Sequence, residues 1–209
     1  MFQKTVNRQF TTGFPGELIE DGPKRARTAR IMPLSPAAAT QGDNTISRAF
    51  GFGGDAGDVG LATSITQAAR VSEVVVGGAE FFGILGHPKH HALFGSAGDS
   101  LAASYNLPDG AEGEFFDMAT GLVVELFNFT AAPVDVGFGW QLAYVTNAAT
   151  ALENANDVPA GGLIALAPGA AAPAGTKIIP NARVVNTISL VASAPDAPVA
   201  GVTIVQLTQ

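Results

Sequence analysis

Between Phe81 and Asn128 the chain alternates apolar runs of strand length with turn-forming groups: Gly86-His87-Pro88, Gly95-Ser96-Ala97-Gly98-Asp99, Pro108-Asp109-Gly110 and Thr120-Gly121. Runs of this length, cut by glycine, proline and aspartate, predict short strands joined by tight turns. In Leu107-Pro108-Asp109-Gly110 the proline presets φ, and Asp109 and Gly110 tolerate the reversal that follows. The spacing predicts a strand over Gly113–Met118, a turn at Gly121 and an antiparallel partner over Leu122–Phe129.

The same pattern extends in both directions. Arg48–Gly53 alternates, and Val71–Val76 and Ala79–Leu85 carry β-branched and aromatic residues. Val134, Val136, Phe138, Trp140, Leu142 and Tyr144 alternate over Val134–Val145, which predicts one unbroken strand with these residues on one face. Ile178-Ile179, Val184-Val185, Ile188–Val191 and Val202–Leu207 read as closing strands. Thr146–Thr176 is rich in alanine, glycine and proline and is expected to be an exposed, mobile excursion, with Leu163–Leu166 its only candidate strand. Phe2, Val6, Phe10, Phe14 and Leu18 recur at every fourth residue, but Gly13, Pro15 and Gly16 forbid a helix there. Residues 1–44 are therefore expected to form an extended N-terminal arm whose aromatics are short of local partners. Residues 45–209 form the body, with its excursion near 146–176.

Composition agrees with this picture. The 209 residues are 47% hydrophobic and only 14% charged, with 25 glycines and 13 prolines. That balance fits a mainly β chain with a jelly-roll, β-sandwich or barrel-like body. Without cysteine there is no disulfide framework, thiolate metal site or thiol nucleophile. No apolar run reaches a membrane-spanning length and no signal-peptide pattern opens the chain, so no membrane partner is expected.

The net charge of −7 is unevenly distributed. Through Arg48 there are seven basic residues against four acidic ones, and beyond it four against fourteen. Lys24, Arg25, Arg27 and Arg30 form the only basic cluster. An acidic body and the lack of interleaved aromatics argue against direct contact with nucleic acid. The planar guanidinium suits carboxylates, so Arg25, Arg27 and Arg30 are expected to meet acidic surface on a neighbouring subunit, unless the cluster is merely a solvated loop.

Other groups carry less chemistry. Gly51–Asp58 lacks the Gly-Lys-Ser/Thr of a phosphate-binding loop and the repeats of a calcium roll. His87, His90 and His91 are interrupted by a proline and a lysine, which disfavours a metal, and no cofactor is expected. Glu112 and Glu114 share a strand face but sit beside a tight turn and not across a cleft. Trp140 and Tyr144 read as core aromatics, with a sugar-stacking platform as the alternative. No nucleophile elbow or zinc-protease motif is present, so no catalytic residue is assigned.

Two blocks, Gly83-Ile84-Leu85…His87-Pro88-Lys89…Ala92-Leu93…Gly95 and Leu107-Pro108-Asp109-Gly110…Gly113-Glu114-Phe115…Asp117-Met118-Ala119-Thr120-Gly121…Val123-Val124-Glu125-Leu126, resemble the bacteriophage capsid cement, or decoration, proteins. So do the opening Phe2-Gln3, Phe14-Pro15-Gly16-Glu17 and Asp21-Gly22-Pro23-Lys24-Arg25-Ala26, and the closing Ala174–Val185 and Gly201–Thr208. The resemblance implies a virion protein on the outer surface of a phage capsid that bridges major capsid proteins and stabilises the shell. It also implies a homo-oligomer, a trimer in preference to a dimer. On this reading Phe2, Phe10 and Phe14 of the arm, with Arg25, Arg27 and Arg30, form the partner interface. A carbohydrate- or receptor-binding β module on a virion surface is the alternative, and a hydrolase is a third class.

Overall fold

The computed structural model describes residues 13–19, 22–32, 44–52, 73–87, 106–130, 132–147, 158–192 and 199–208. Among these residues all regular structure is β: β1 (Lys24–Ile31), β2 (Ala49–Phe52), β3 (Glu73–Val76), β4 (Glu80–Leu85), β5 (Glu112–Phe127), β6 (Val134–Val136), β7 (Gln141–Val145), β8 (Leu163–Leu166), β9 (Thr176–Val184), β10 (Ile188–Leu190) and β11 (Ala200–Leu207). Nine strands form one sheet in the order β1-β3-β2-β4-β5-β11-β9-β7-β8, and β6 pairs with β10 in a two-stranded ribbon.

Two extra pairings, β1 with β5 and β5 with β8, close this sheet on itself twice. The result is a pair of small barrels sharing one long strand: β1, β3, β2 and β4 close on the first half of β5, and β11, β9, β7 and β8 close on its second half. Closure leaves each barrel without an open sheet edge, which suits a chain with few charged residues to guard edges. Ala29, Ile31, Phe50, Val74, Val76, Phe82, Leu85 and Phe115 fill the first barrel. Leu122, Val124, Leu126, Leu142, Tyr144, Leu163, Val184, Val205 and Leu207 belong to a larger core that continues to Ile84, Phe116 and Ala49 of the first barrel. Each fully buried Phe or Leu contributes about 2–3 kcal/mol through burial.

One strand can serve two barrels because β5 bends at two bulges. Arg25 lies opposite Met118 and Ala26 opposite Phe116, so Asp117 is the extra residue facing β1. Further along, Val205 lies opposite Leu122 and Leu207 opposite Ala119, and Gly121 adopts φ 72° in the extra stretch. Each bulge shifts the alternation and sharpens the twist. The expected hairpin at Thr120-Gly121 is therefore not formed: glycine's left-handed freedom is used for a bulge within a 16-residue strand.

Other expectations also change. Val134–Val145 is two strands separated by a turn at Gly137–Trp140, with β6 leaving the main sheet to pair with β10. Lys24–Ile31, inside the stretch read as an arm, is a barrel strand paired antiparallel with β5 from Lys24 opposite Ala119 to Arg30 opposite Glu112. Within the Ala/Gly/Pro-rich stretch, Val158, Leu163 and Ile164 are buried and β8 completes the second barrel. Small residues allow the close approaches needed there; a Cβ on Gly161, at φ 73°, would lie 2.7 Å from Val76 Cγ2.

The barrels are also joined by side chains. The Tyr144 hydroxyl donates to the Gly78 carbonyl at 2.8 Å, and its ring lies 5.9 Å from Phe81. Ser47 spans the same junction: its N–H donates to the Leu85 carbonyl, and its Oγ accepts from the Glu125 N–H at 2.6 Å.

Candidate interaction surface

The bulge at Asp117 decides where the basic cluster sits. Asp117 is only 2% exposed, yet its carboxylate reaches two arginines of β1. Arg25 Nε and Nη2 donate to Asp117 Oδ1 and Oδ2, both at 2.8 Å, which is the fork-to-carboxylate geometry of the strongest ion pairs. This hydrogen bonding, reinforced by the carboxylate charge, raises the Arg25 guanidinium above its usual value. Arg27 Nε lies 3.6 Å from the same carboxylate, and its guanidinium stacks 3.9 Å above the Phe82 ring. Both guanidiniums nevertheless remain about half in solvent, at 51% and 43% exposure. Arg30 is exposed over Gly110 and lies opposite Glu112. The expected contact with a neighbour's carboxylates thus has an intramolecular counterpart. One buried acid holds two arginines, leaving a net positive, half-solvated face.

A second feature is aromatic. Residues 13–19 lie along β5, with Gly16 N–H donating to Val123 O, Val123 N–H to Glu17 O and Ile19 N–H to Gly121 O. Phe14-Pro15-Gly16-Glu17 is a type II turn: Glu17 N–H donates to Phe14 O at 3.1 Å, Pro15 sits at the second position and Gly16 has φ 86°. His87 N–H donates to Gly16 O and Glu17 Oε2 accepts from Phe14 N–H, so the turn is fixed on both sides. At its first position Phe14 is 61% exposed. Phe2 and Phe10 lie outside the described residues, as do His90 and His91.

The remaining candidates separate. Tyr144 is buried against Phe81, and burial, then the Glu80 charge, pushes its phenol above the usual range, so it offers no face to a sugar. Trp140 is half-buried against the core. Glu112 is exposed and Glu114 half-buried on the outer half of β5. His87 uses its backbone N–H to hold Gly16. Among the described residues no three His, Asp or Glu side chains converge on a point where a metal could sit.

Residues 2–208 match the family described as structural cement protein (E217 gp24/Pam3 gp6). The chain belongs to this phage structural cement protein family. It is a structural protein of the phage capsid and a component of the virion. No curated protein matches the chain. Among solved structures it is similar to a chain of the capsid of Myoviridae phage XM1, with 14% identity, a TM-score of 0.43, and coverage of 100% of this chain and 98% of that one.

Sequence reasoning singled out the arginines and Phe14 as candidates and anticipated the turn at Phe14–Glu17. It missed Asp117 as their anchor, because no sequence pattern marks which residue of a long strand will be extruded at a bulge. It missed Phe82 because the residue that stacks on it is 55 positions away.

Proposed function

We propose that this cement protein attaches to the outer surface of the shell through its β1 arginines and the Phe14 turn, and bridges neighbouring major capsid proteins. The observation that carries this reading is the pre-set pair of half-exposed guanidiniums on Asp117. Because Arg25 and Arg27 are already oriented, docking a carboxylate-bearing surface costs little side-chain entropy. Phe14, held out on a rigid turn, supplies an aromatic anchor of the kind that dominates interface energetics. Phe2 and Phe10 extend that apolar contact along the arm. Self-association into a closed homo-oligomer, a trimer in preference to a dimer, would repeat the contact around a capsid symmetry axis. Nucleic acid, membrane and any catalytic step play no part in this reading.

The test is co-sedimentation of the full-length protein with shells assembled without it, alongside sedimentation velocity of the free protein. The wild type should pellet with the shells. A Phe14→Ala/Arg27→Ala variant with unchanged melting should largely stay in the supernatant; equal pelleting of the two would overturn the assignment of this surface.

A further inference from the structure

Among the described residues, the most exposed large apolar side chain lies elsewhere, on the second barrel. Phe138, 64% exposed, tips the turn Gly137-Phe138-Gly139-Trp140. Trp140 N–H donates to Gly137 O at 3.4 Å and Gly139 has φ 81°, again a type II turn. The turn is tied to β9 by Gly139 N–H donating to Val184 O and by Val184 N–H donating to Trp140 O, both at 2.9 Å. Gly139 itself has open space around its α-carbon. A lone exposed phenylalanine is ordinary on a protein surface; what stands beside this one is not. The Arg183 guanidinium lies 5.9 Å from the ring. Its Nε and Nη2 donate to Gln206 Oε1 at 2.9 and 2.7 Å. Arg183 and Gln206 are direct partners on β9 and β11, both outward, since Ala182, Val184, Val205 and Leu207 fill the inside.

The contrast with β1 is chemical. Arg25 and Arg27 face an aspartate, whereas Arg183 is oriented by a neutral amide and meets no carboxylate within 4.0 Å among the described residues. The amide fixes the direction of the guanidinium without cancelling its charge. It leaves Nη1 and one N–H of Nη2 to donate outward beside an aromatic ring held by backbone hydrogen bonds. Arginine with an aromatic, pre-organised and charge-uncompensated, fits one carboxylate next to an apolar side chain.

We propose that Phe138 and Arg183 form a second docking face, which takes a carboxylate-bearing surface of a second capsid subunit. This rests on the reading that the protein cements the shell. A bridge needs two separate faces: β1 supplies one from the first barrel, and the β6–β7 turn with β9 supplies the other from the second. Linking two modest contacts in one rigid body raises overall affinity without further contact area.

The experiment compares full-length wild type, Phe138→Ala/Arg183→Gln and Arg183→Lys in shell co-sedimentation across a salt series, with thermal melting and sedimentation velocity of each free protein. The expected result is unchanged melting and oligomeric state, roughly tenfold or greater weakening of shell binding for the double variant, and partial weakening for Arg183→Lys, which keeps the charge and loses the fork. Shell binding equal to wild type by the double variant would overturn the proposal. So would a double variant that loses self-association in free solution, because the occupant would then be a second copy of this chain. If wild type itself fails to bind shells, it is the underlying cement reading that falls, an outcome distinct from either of these.

Discussion

Arg25 grips Asp117 with both arms of its guanidinium at 2.8 Å, although the arginine is half in solvent and the aspartate is buried at a strand bulge. The pair separates two explanations of how β1 contacts a partner. If only charge mattered, Asp117→Asn would add one positive charge to the face and tighten binding to an acidic surface. If orientation matters, the same change frees Arg25 and Arg27 and weakens binding. We expect several-fold weaker shell binding and a melting temperature lower by a few degrees. Tighter binding by Asp117→Asn would show that the carboxylate positions nothing.

Gly16 and Phe14 should come apart experimentally. Phe14→Ala removes an exposed ring and should leave stability within about 0.5 kcal/mol, while shell binding falls. Gly16→Ala puts a side chain at φ 86°, against Ile46 and 2.8 Å from the His87 nitrogen. The left-handed conformation alone costs about 1–2 kcal/mol, so the loss should be at least that. Chemical denaturation of the two variants measures both.

Truncation tests how much of the first 44 residues is arm. Removing residues 1–12 should leave the melting transition in place and weaken shell binding through loss of Phe2 and Phe10. Removing residues 1–31 takes away β1, its pairing with β5 and the buried Ala29 and Ile31, and should abolish cooperative melting of the first barrel. A cooperative transition of wild-type size in the longer truncation would contradict the closed-barrel description.

Tyr144 makes stability sensitive to alkali. Its phenol is raised in the folded protein by burial, so below the unfolded pKa of about 10 both states are neutral and the folded state is fully favoured. As pH rises above that value the unfolded chain ionises and the native residue does not, and stability drops by about 1.4 kcal/mol per pH unit until the folded pKa is reached. Tyr144→Phe should cost about 1–2 kcal/mol at neutral pH by leaving the Gly78 carbonyl without its donor, and should flatten the alkaline decline. A wild-type decline in the variant would assign the effect to another group.

Much of this was legible in the chain, and the reasons for the rest are physical. Strand positions followed from short β-branched and aromatic runs, and the Phe14 turn from Pro15-Gly16, because those signals are local. What glycine does was not local: Thr120-Gly121 and Gly137–Gly139 carry similar turn signals, yet one became a bulge and the other a turn that breaks an alternating strand. Both depend on which distant strand pairs alongside. The same holds for closure on β5, set by pairings of Leu126 and Phe127 with Leu163 and Ile164 some 37 residues on. For the surface, charge clustering pointed to Arg25, Arg27 and Arg30 but could not reveal Asp117. It passed over Arg183, isolated in sequence and defined only by Gln206 and Phe138 across the sheet.

If the protein cements the shell from outside, the β1 arginines and Phe14 turn toward the major capsid protein. An electron-microscopy map of the assembled particle tests this most directly. Density for this chain is expected on the outer surface, with Arg25, Arg27 and Phe14 against capsid subunits. A map in which that face points to solvent, or in which the chain lies inside the shell, would contradict it.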